Sequence, residues 1–266
     1  MRCEKFEGAT LYLADYRDVL GELPEWPIVT DPPYGIGFDY GSHGSAHNDL
    51  PGEPYRDLLR PLAGRKLALL QYPVGMMRDV VPVLGPPDEC LAWCYPSNLG
   101  SGHFRLWGLW GMKPDFGAVK QPCKNPTSSK VKNALVNSYE WWRDDDQWWE
   151  QPQVKNVSAE KTEHPCQVPV SGVRRVIRLL GTKQVIDPFL GSGTTAVAAV
   201  LEGCEFVGAE VDARWFDIAC RQVEAATSQP DMFANLAEPI PPSLAADRQR
   251  DQHKDQIPLF GVDVDN

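Results

Sequence analysis

Short runs of apolar residues, each bounded by turn-forming residues, recur along the chain and indicate β-strands. They lie at residues 10–13, 28–30, 67–72, 90–95, 185–186 and 205–209. Between them, apolar residues recur at helical spacing and predict helices at residues 55–63, 74–84, 170–180, 194–202 and 213–226. This alternation predicts an α/β fold with a doubly wound, mostly parallel sheet and helices on both faces. Ligands of such sheets bind beyond the carboxyl ends of the strands.

Two stretches depart from the alternation. Residues 97–136 contain several glycines and prolines and little periodicity, and we interpret them as an inserted surface segment. From residue 228 to residue 266 the chain is polar and rich in Pro, Asp, Gln and Arg, which predicts a flexible tail without a core of its own. We therefore expect residues 1–227 to form one domain that carries the insertion.

Composition narrows the class of protein. With 266 residues and 42% hydrophobic content, the chain can fill one sizeable core. Charges at Arg2, Glu4, Lys5 and Glu7 occupy the place where a signal peptide needs an apolar run, so we expect a cytoplasmic protein. The seven cysteines include no Cys-x-x-Cys pair, which favours reduced thiols over disulfides or a metal site.

The charge is unevenly distributed. A formal net charge of −10 argues at first against a nucleic-acid partner, because phosphate neutralisation requires Lys and Arg. Within residues 97–136, however, only Asp115 is acidic. The same segment carries the cations Arg105, Lys113, Lys120, Lys124, Lys130 and Lys132. The sequence thus combines one basic segment with an acidic body.

A glycine-rich stretch follows the strand predicted at residues 185–186 and leads directly into a helix. We name its residues 187–195, Asp187-Pro188-Phe189-Leu190-Gly191-Ser192-Gly193-Thr194-Thr195, the glycine loop. Such a turn lets backbone N–H groups approach a ligand, and the helix N-terminus favours an anionic group. Glu210 ends the next strand, where this fold places an acid that binds ribose hydroxyls. The alternative is a tight strand-to-helix connection with a solvated Glu210.

The second chemical signal is Asp31-Pro32-Pro33-Tyr34, which follows the strand at residues 28–30. Each proline lacks an N–H and has a fixed φ, so the segment is stiff and its carbonyl oxygens stay available as acceptors. A carboxylate, rigid acceptors and an aromatic ring together suit an amino group on a planar base. The alternative is a Pro-Pro turn that ends a strand.

Together, the two motifs make the chain resemble the DNA adenine-N6 and cytosine-N4 amino-methyltransferases over most of residues 10–224. In that family the Asp-Pro-Pro-Tyr motif is catalytic, and we name residues 31–34 the catalytic motif. The order of the two motifs here is similar to the family's β-type arrangement. The resemblance implies a Rossmann-like methyltransferase sheet, S-adenosylmethionine as cofactor and double-stranded DNA as substrate. It assigns catalysis to Asp31, Pro32, Pro33 and Tyr34, and cofactor binding to Asp187, Phe189, Gly191, Ser192, Gly193, Thr194, Thr195 and Glu210.

The resemblance extends to two further cofactor positions. Residues 163–169, Glu-His-Pro-Cys-Gln-Val-Pro, are similar to the family's His-Pro-Thr-Gln-Lys-Pro element, which implies that His164 and Gln167 lie at the methionine end of the cofactor. Cys166 and Val168 depart from that element. The resemblance also implies that Asp15 lies near the adenine of the cofactor, whereas a helix cap is the alternative role for this residue.

The family carries its target-recognition segment between the two motifs, where residues 97–136 lie. The resemblance implies that Lys113 and the lysines at 120, 124, 130 and 132 contact phosphates and that Arg105 reaches bases; a solvated basic loop is the alternative. We expect the Trp-rich stretch at residues 140–149 to pack on the sheet rather than to stack on bases. In the tail, Gln256-Ile257-Pro258-Leu259-Phe260 resembles the peptides that dock on the replication sliding clamp.

The sequence therefore favours methylation of N6 of adenine, because aspartate stands first in the catalytic motif. Methylation of cytosine N4 uses the same geometry and stays open, and glutamine or RNA methyltransferases are more distant alternatives. A catalytically silent DNA-binding or clamp-recruited module is the alternative from another class, and the intact Asp31, Tyr34, Gly191 and Gly193 disfavour it.

Overall fold

The computed structural model describes residues 1–21, 23–38, 49–94, 104–115, 160–164 and 166–228. Within these ranges the strands form one eight-stranded sheet in the order β1-β2-β8-β7-β3-β4-β6-β5. Their bounds are β1 (Arg2–Phe6), β2 (Ala9–Leu13), β3 (Ile28–Thr30), β4 (Leu67–Gln71), β5 (Glu89–Cys94), β6 (Phe104–Trp110), β7 (Gln184–Asp187) and β8 (Glu205–Glu210).

The five central strands, from β2 to β4 in the sheet order, are parallel. Their carboxyl ends consequently meet at one edge of the sheet. Strand β1 pairs antiparallel with β2 on one side, and β6 pairs antiparallel with β4 and β5 on the other. The first residues of β6 therefore lie at the edge where β3 and β4 end. Pairing between β3 and β7 is confined to Ile28 and Ile186.

Helices cover both faces of the sheet. They are α1 (Tyr16–Val19), α2 (Glu53–Leu59), α3 (Pro73–Gly75), α4 (Val81–Leu84), α5 (Val170–Leu180), α6 (Thr194–Leu201) and α7 (Ala213–Ser228). A 3-10 turn (Arg60–Leu62) follows α2, and a π-helical segment (Met76–Val80) joins α3 to α4. No helix among these described residues is long and apolar enough to cross a bilayer.

The core consists of two apolar clusters on opposite faces of the sheet. Val29 belongs to the cluster that includes α5, α6 and α7, whereas its neighbour Ile28 belongs to the cluster that includes α1, α2 and the π-helical segment. Successive residues of a strand point to opposite faces, so this alternation assigns each cluster to its own side. Both faces of β4 are buried, which explains the apolar sequence of its first four residues, 67–70; the last residue, Gln71, is a buried polar side chain.

The predicted fold class is confirmed: the sheet is mostly parallel, with helices on both faces. Strand β1 was not predicted, because it is largely exposed at the sheet edge and carries no apolar run. The predicted surface segment at residues 97–136 is wrong for Phe104–Trp110, which form β6 and bury Trp107 and Leu109 in the core. The remainder of that segment, except residues 111–115, and the predicted tail at 229–266 lie outside the described residues.

Candidate active site

Four acidic residues meet at the carboxyl edge of the parallel strands. Asp15 follows β2, Asp31 follows β3, Asp187 ends β7 and Glu210 ends β8. They line one cleft, whose empty volume is about 1170 Å³ including its open mouth. Every residue that the sequence assigned to catalysis or cofactor binding also lines this cleft, with the exception of Gly193. The structure therefore brings the two sequence motifs together.

The two glycines of the glycine loop are required for different reasons. Both adopt positive φ, 54° at Gly191 and 91° at Gly193, which favours glycine. A Cβ on Gly193 would lie 3.0 Å from the backbone of Ala219, so this residue allows α7 to pack against the start of α6. A Cβ on Gly191 would instead project towards His164, 3.6 Å from its Nε2 atom. Gly191 thus keeps the cleft open, whereas Gly193 serves the packing beneath it.

Glu210 connects β8 to the glycine loop. Its Oε2 atom accepts a hydrogen bond of 2.8 Å from the N–H of Gly191. Its Oε1 atom accepts from the N–H groups of Val211 and Asp212, at 3.0 and 2.9 Å. Burial raises the pKa of Glu210 to about 7, although the three backbone donors lower it. The carboxylate is therefore held rigidly beside the loop and faces the cleft.

Asp187 links the two halves of the site. Its Oδ1 atom accepts hydrogen bonds from the Thr30 hydroxyl, at 2.6 Å, and from the Phe189 N–H, at 3.0 Å. Thr30 directly precedes Asp31, so this buried contact fixes the catalytic motif relative to the glycine loop. Burial raises the pKa of Asp187, whereas its hydrogen bonds with Thr30 and Thr195 lower it.

The two roles considered for Asp15 are compatible. Its Oδ1 atom accepts a hydrogen bond of 2.9 Å from the Arg17 N–H, so it caps α1, and it also lines the cleft. Beside it, the rings of Tyr16 and Phe189 meet edge to face with their centroids 5.0 Å apart. The two touching rings form one aromatic wall of the cleft, which suits a planar ring such as adenine.

Asp31 and Tyr34 form the polar centre of the catalytic motif. The Tyr34 hydroxyl donates a hydrogen bond of 2.6 Å to Asp31 Oδ1. Burial raises the pKa of Asp31 to about 6, although the positive charge of Arg105 and the Tyr34 hydrogen bond both lower it. At neutral pH the carboxylate is therefore mostly ionised and able to accept hydrogen bonds, while a modest fall in pH protonates it.

Asp49 is a site residue that the sequence did not reveal. It is 2% exposed, and its carboxylate accepts hydrogen bonds from three backbone N–H groups directly after the catalytic motif, those of Gly35, Ile36 and Phe38. Gly35 has a φ of 64°, and a Cβ there would lie 2.7 Å from the Tyr55 ring. Asp49 thus holds the backbone that follows the catalytic motif from a position 11 to 14 residues further along the sequence, where no local pattern marks it.

Replacing Asp49 by alanine is expected to lower the free energy of unfolding by about 2–3 kcal/mol, because one buried and two part-buried backbone donors lose their carboxylate acceptor. Urea denaturation of the purified protein measures this change. Asp57→Ala is the matched control: Asp57 is an exposed residue of α2, and its loss should cost no more than about 0.5 kcal/mol. Equal effects of the two substitutions would contradict this role of Asp49.

A second buried contact supports the catalytic loop from β4. Gln71 donates to the Tyr55 hydroxyl at 2.7 Å and lies 3.5 Å from the Tyr34 carbonyl oxygen. The side-chain oxygen of Gln71, Oε1, accepts a hydrogen bond of 2.8 Å from the Tyr72 N–H, so the orientation of the side-chain amide is fixed. The backbone of Tyr34 is thereby supported from below.

The segment at residues 160–170 closes the cleft next to the glycine loop. The His164 ring packs edge to face on Trp215 with 4.8 Å between centroids, and burial lowers its pKa to about 4. Gln167 lines the cleft, but its side chain is bonded within the segment, to Thr162 and to the Glu160 carbonyl oxygen. It therefore acts chiefly by shaping the segment. Cys166 and Val168, the two departures from the family element, also line the cleft.

The residues predicted to contact DNA lie in different places. Arg105 is 6% exposed, lies at the start of β6 and contacts the catalytic motif, so its placement differs from that of an exposed side chain that reaches bases, which the sequence suggested. Lys113 is exposed after β6. Lys120, Lys124, Lys130 and Lys132, the Trp-rich stretch and the clamp-like peptide at residues 256–260 lie outside the described residues.

A parallel sheet with a glycine loop after one strand and an acid after the next defines a Rossmann-like domain that binds a nucleoside cofactor. Residues 71–221, more than half of the chain, match the family model of the DNA methylases named for N6 and N4 methyltransferases. The chain therefore belongs to the DNA methylase family, in which S-adenosylmethionine is the methyl donor.

Individual relatives are more distant. The chain is 33% identical over 117 residues to the type II methyltransferase M.ScaI of Streptomyces caespitosus, and this match covers 42% of the chain and 38% of the relative. It is 31% identical over 81 residues to the DNA adenine methyltransferase YhdJ of Escherichia coli strain K12, and this match covers 30% of the chain and 28% of the relative. These matches span less than half of each relative.

Among solved structures, the PvuII DNA methyltransferase, described as cytosine-N4-specific, superposes with a TM-score of 0.56. The match covers 86% of this chain and 90% of that one at 14% sequence identity. A likeness at this level of identity concerns the fold alone.

Proposed function

We propose that this chain transfers a methyl group from S-adenosylmethionine to the N6 amine of adenine in double-stranded DNA. The observation that carries the proposal is the common cleft of the glycine loop and the Asp-Pro-Pro-Tyr motif, which are separated by more than 150 residues in the sequence. The cleft can thus hold a methyl donor and an amine acceptor at the same time. Family membership supports both the donor and the DNA substrate.

The residues of the cleft fit S-adenosylmethionine. Glu210 offers a carboxylate for ribose hydroxyls, the single aromatic wall of Tyr16 and Phe189 suits the adenine ring, and Gly191 leaves room below His164 for the methionine end. The N-terminus of α6 favours the methionine carboxylate. When bound, the cofactor supplies an electrophilic methyl group on a sulfonium centre.

The catalytic motif acts on the acceptor amine. A base within a duplex cannot present its exocyclic amine to the donor, so the target base has to leave the stack. Tyr34 then provides an aromatic surface for the base, and the carbonyl oxygen of Pro32 accepts one amine hydrogen. The Tyr34 hydroxyl already bonds to Oδ1 of Asp31, so we assign the second amine hydrogen to Oδ2. These two acceptors turn the nitrogen lone pair towards the methyl group.

This mechanism predicts an acid limb in the pH profile. Asp31 has to be ionised to accept from the amine, and its pKa is raised to about 6. At saturating cofactor we expect kcat/KM for DNA to be constant above neutral pH and to fall roughly tenfold per pH unit below the pKa. Steady-state assays with buffers of constant ionic strength measure this limb. A kcat/KM that stays level down to pH 5 would contradict the role of Asp31 as an ionised acceptor.

The assignment to adenine rests on aspartate at the first position of the catalytic motif. The adenine-specific name of one relative agrees with it. Phosphate contacts are assigned to exposed Lys113 and to Lys120, Lys124, Lys130 and Lys132, whose charges offset the acidic body of the protein.

Incubation of the purified protein with mixed-sequence DNA and isotopically labelled S-adenosylmethionine tests the proposal. Nucleoside mass spectrometry is expected to find label in N6-methyladenine. Label in N4-methylcytosine alone would refute the choice of base and retain the enzyme class. Unlabelled DNA together with tight DNA binding would favour the catalytically silent module.

A further inference from the structure

Arg105 is buried beside the catalytic motif, between three aromatic rings. Its guanidinium carbon lies 5.0 Å from the ring centroid of Tyr34, 4.9 Å from that of Tyr72 and 5.3 Å from that of Trp93. One guanidinium nitrogen, Nη2, donates a hydrogen bond of 3.1 Å to the Tyr72 hydroxyl. The three aromatic residues come from three different parts of the sheet edge, so the guanidinium joins them into one cluster.

The antiparallel direction of β6 explains this position. Leu106 pairs with Gln71 at the carboxyl end of β4, and Arg105 pairs with Trp93 of β5. The start of β6 therefore lies at the same edge as the catalytic motif, although the two are more than 70 residues apart in the sequence. A side chain there can act on the reacting groups without lying in the cleft itself.

The aromatic cluster fixes the Tyr34 ring. Tyr34 meets Tyr72 edge to face, with their centroids 4.9 Å apart, and Arg105 lies close to both rings. A desolvated cation close to an aromatic ring is attracted to the negative face of that ring. The ring that we assign to the extruded base is thus held from one side by a fixed positive charge.

The same charge acts on Asp31. The positive charge of Arg105 lowers the pKa of Asp31, against the stronger effect of burial. The other titratable groups that interact with Asp31 are Tyr34 of the motif, Tyr55 of α2, Cys166 of the 160–170 segment and Asp187 of β7. Arg105 is the one cation among these described partners, so its removal leaves the carboxylate with the neutral and negative groups just named.

We infer that Arg105 is a positioning residue for methyl transfer, which holds the Tyr34 ring and sets a fixed positive charge beside the Asp31 carboxylate. This inference rests on the proposed function and deepens it. It also replaces the role that the sequence suggested, because a phosphate or base contact from the recognition segment requires an accessible guanidinium. The charge of Arg105 serves the catalytic motif instead.

Two substitutions separate the effect of charge from that of shape. Arg105→Met removes the charge and keeps an unbranched apolar chain, and we expect kcat to fall by about 10²-fold with little change in KM for DNA. The acid limb of kcat/KM for DNA should move to higher pH, because Asp31 loses its neighbouring cation. Arg105→Lys keeps the charge but loses the planar group, so kcat should fall while the acid limb stays near that of the unmodified protein.

A titration without turnover makes the test independent of the proposed function. The carboxyl carbon signal of Asp31, identified by its loss in Asp31→Asn, can be followed by NMR in protein labelled at aspartate. We expect it to titrate at higher pH in Arg105→Met than in the unmodified protein. The inference requires this shift in the Asp31 titration whether or not the protein methylates DNA. A protein that shows the shift and does not methylate DNA would refute the proposed function alone.

Two results would overturn the inference that Arg105 is a positioning residue. The inference is overturned if Arg105→Met retains the kcat and the Asp31 titration of the unmodified protein. It is also overturned if the substitution only weakens DNA binding and reduces its salt dependence, as the loss of a phosphate contact does. Thermal unfolding shows whether Arg105→Met folds. If it does not, Arg105→Lys and Tyr72→Phe test the inference instead, and both are expected to lower kcat and leave the Asp31 titration in place. An unchanged kcat in both variants would refute the inference.

Discussion

Asp31→Ala is expected to lower kcat for methyl transfer by about 10³-fold or more, while the affinity for S-adenosylmethionine changes little. The carboxylate is the acceptor that orients the amine, and its hydrogen-bond partner in the structure is the Tyr34 hydroxyl rather than a group of the glycine loop. Transfer of labelled methyl groups to DNA measures the first effect, and titration calorimetry with the cofactor measures the second.

Asp57→Ala provides the control for this substitution, since Asp57 is exposed and lies away from the cleft. It should retain the activity of the unmodified protein. Retained methylation in Asp31→Ala would refute the assignment of the catalytic motif. Loss of both activity and cofactor binding would show that the substitution acts on the fold of the cleft instead.

Glu210→Ala is expected to weaken S-adenosylmethionine binding by roughly 10- to 100-fold, because the cofactor loses one hydrogen-bonded carboxylate. The substitution removes the proposed ribose contact and also frees the Gly191 N–H from its acceptor. Both changes act on the donor side of the cleft. DNA binding in the absence of cofactor should therefore stay the same, and a fluorescence anisotropy titration measures it.

Glu205→Ala is the matched control, because Glu205 begins the same strand at the opposite edge of the sheet and is exposed. Its cofactor affinity should equal that of the unmodified protein. If Glu210→Ala binds the cofactor as tightly as Glu205→Ala does, Glu210 serves only to stiffen the turn.

Local patterns made much of the fold and site predictable. Asp31 and Gly191 each follow a short apolar strand, and the carboxyl ends of parallel strands necessarily share an edge. Identification of two motifs was therefore enough to predict one cleft. The helix over Val170–Leu180 was predicted with the bounds that the structure gives, because its apolar spacing is regular and Gly181 ends it in the left-handed conformation.

The residues that the sequence could not predict act across long separations. Asp49 reaches back to the catalytic loop, and nothing in its neighbourhood distinguishes it from a surface aspartate. Arg105 stood in a segment that looked like a basic loop, because glycines and tryptophans obscure the alternation of β6. Its burial depends on pairing with β4 and β5, which the local sequence does not encode.

The narrow junction between β3 and β7 has a consequence for how such a protein can diversify. Backbone pairing between the two strands is limited to Ile28 and Ile186, and the chain leaves the strands towards opposite layers, with α6 on one side and α2 on the other. The helix α6, which follows the glycine loop, is consequently anchored in one half of the core, whereas Tyr16, Phe189 and α2 pack in the other half. Substitutions in the layer of α2 can then accumulate while the packing of α6 on its own face stays intact.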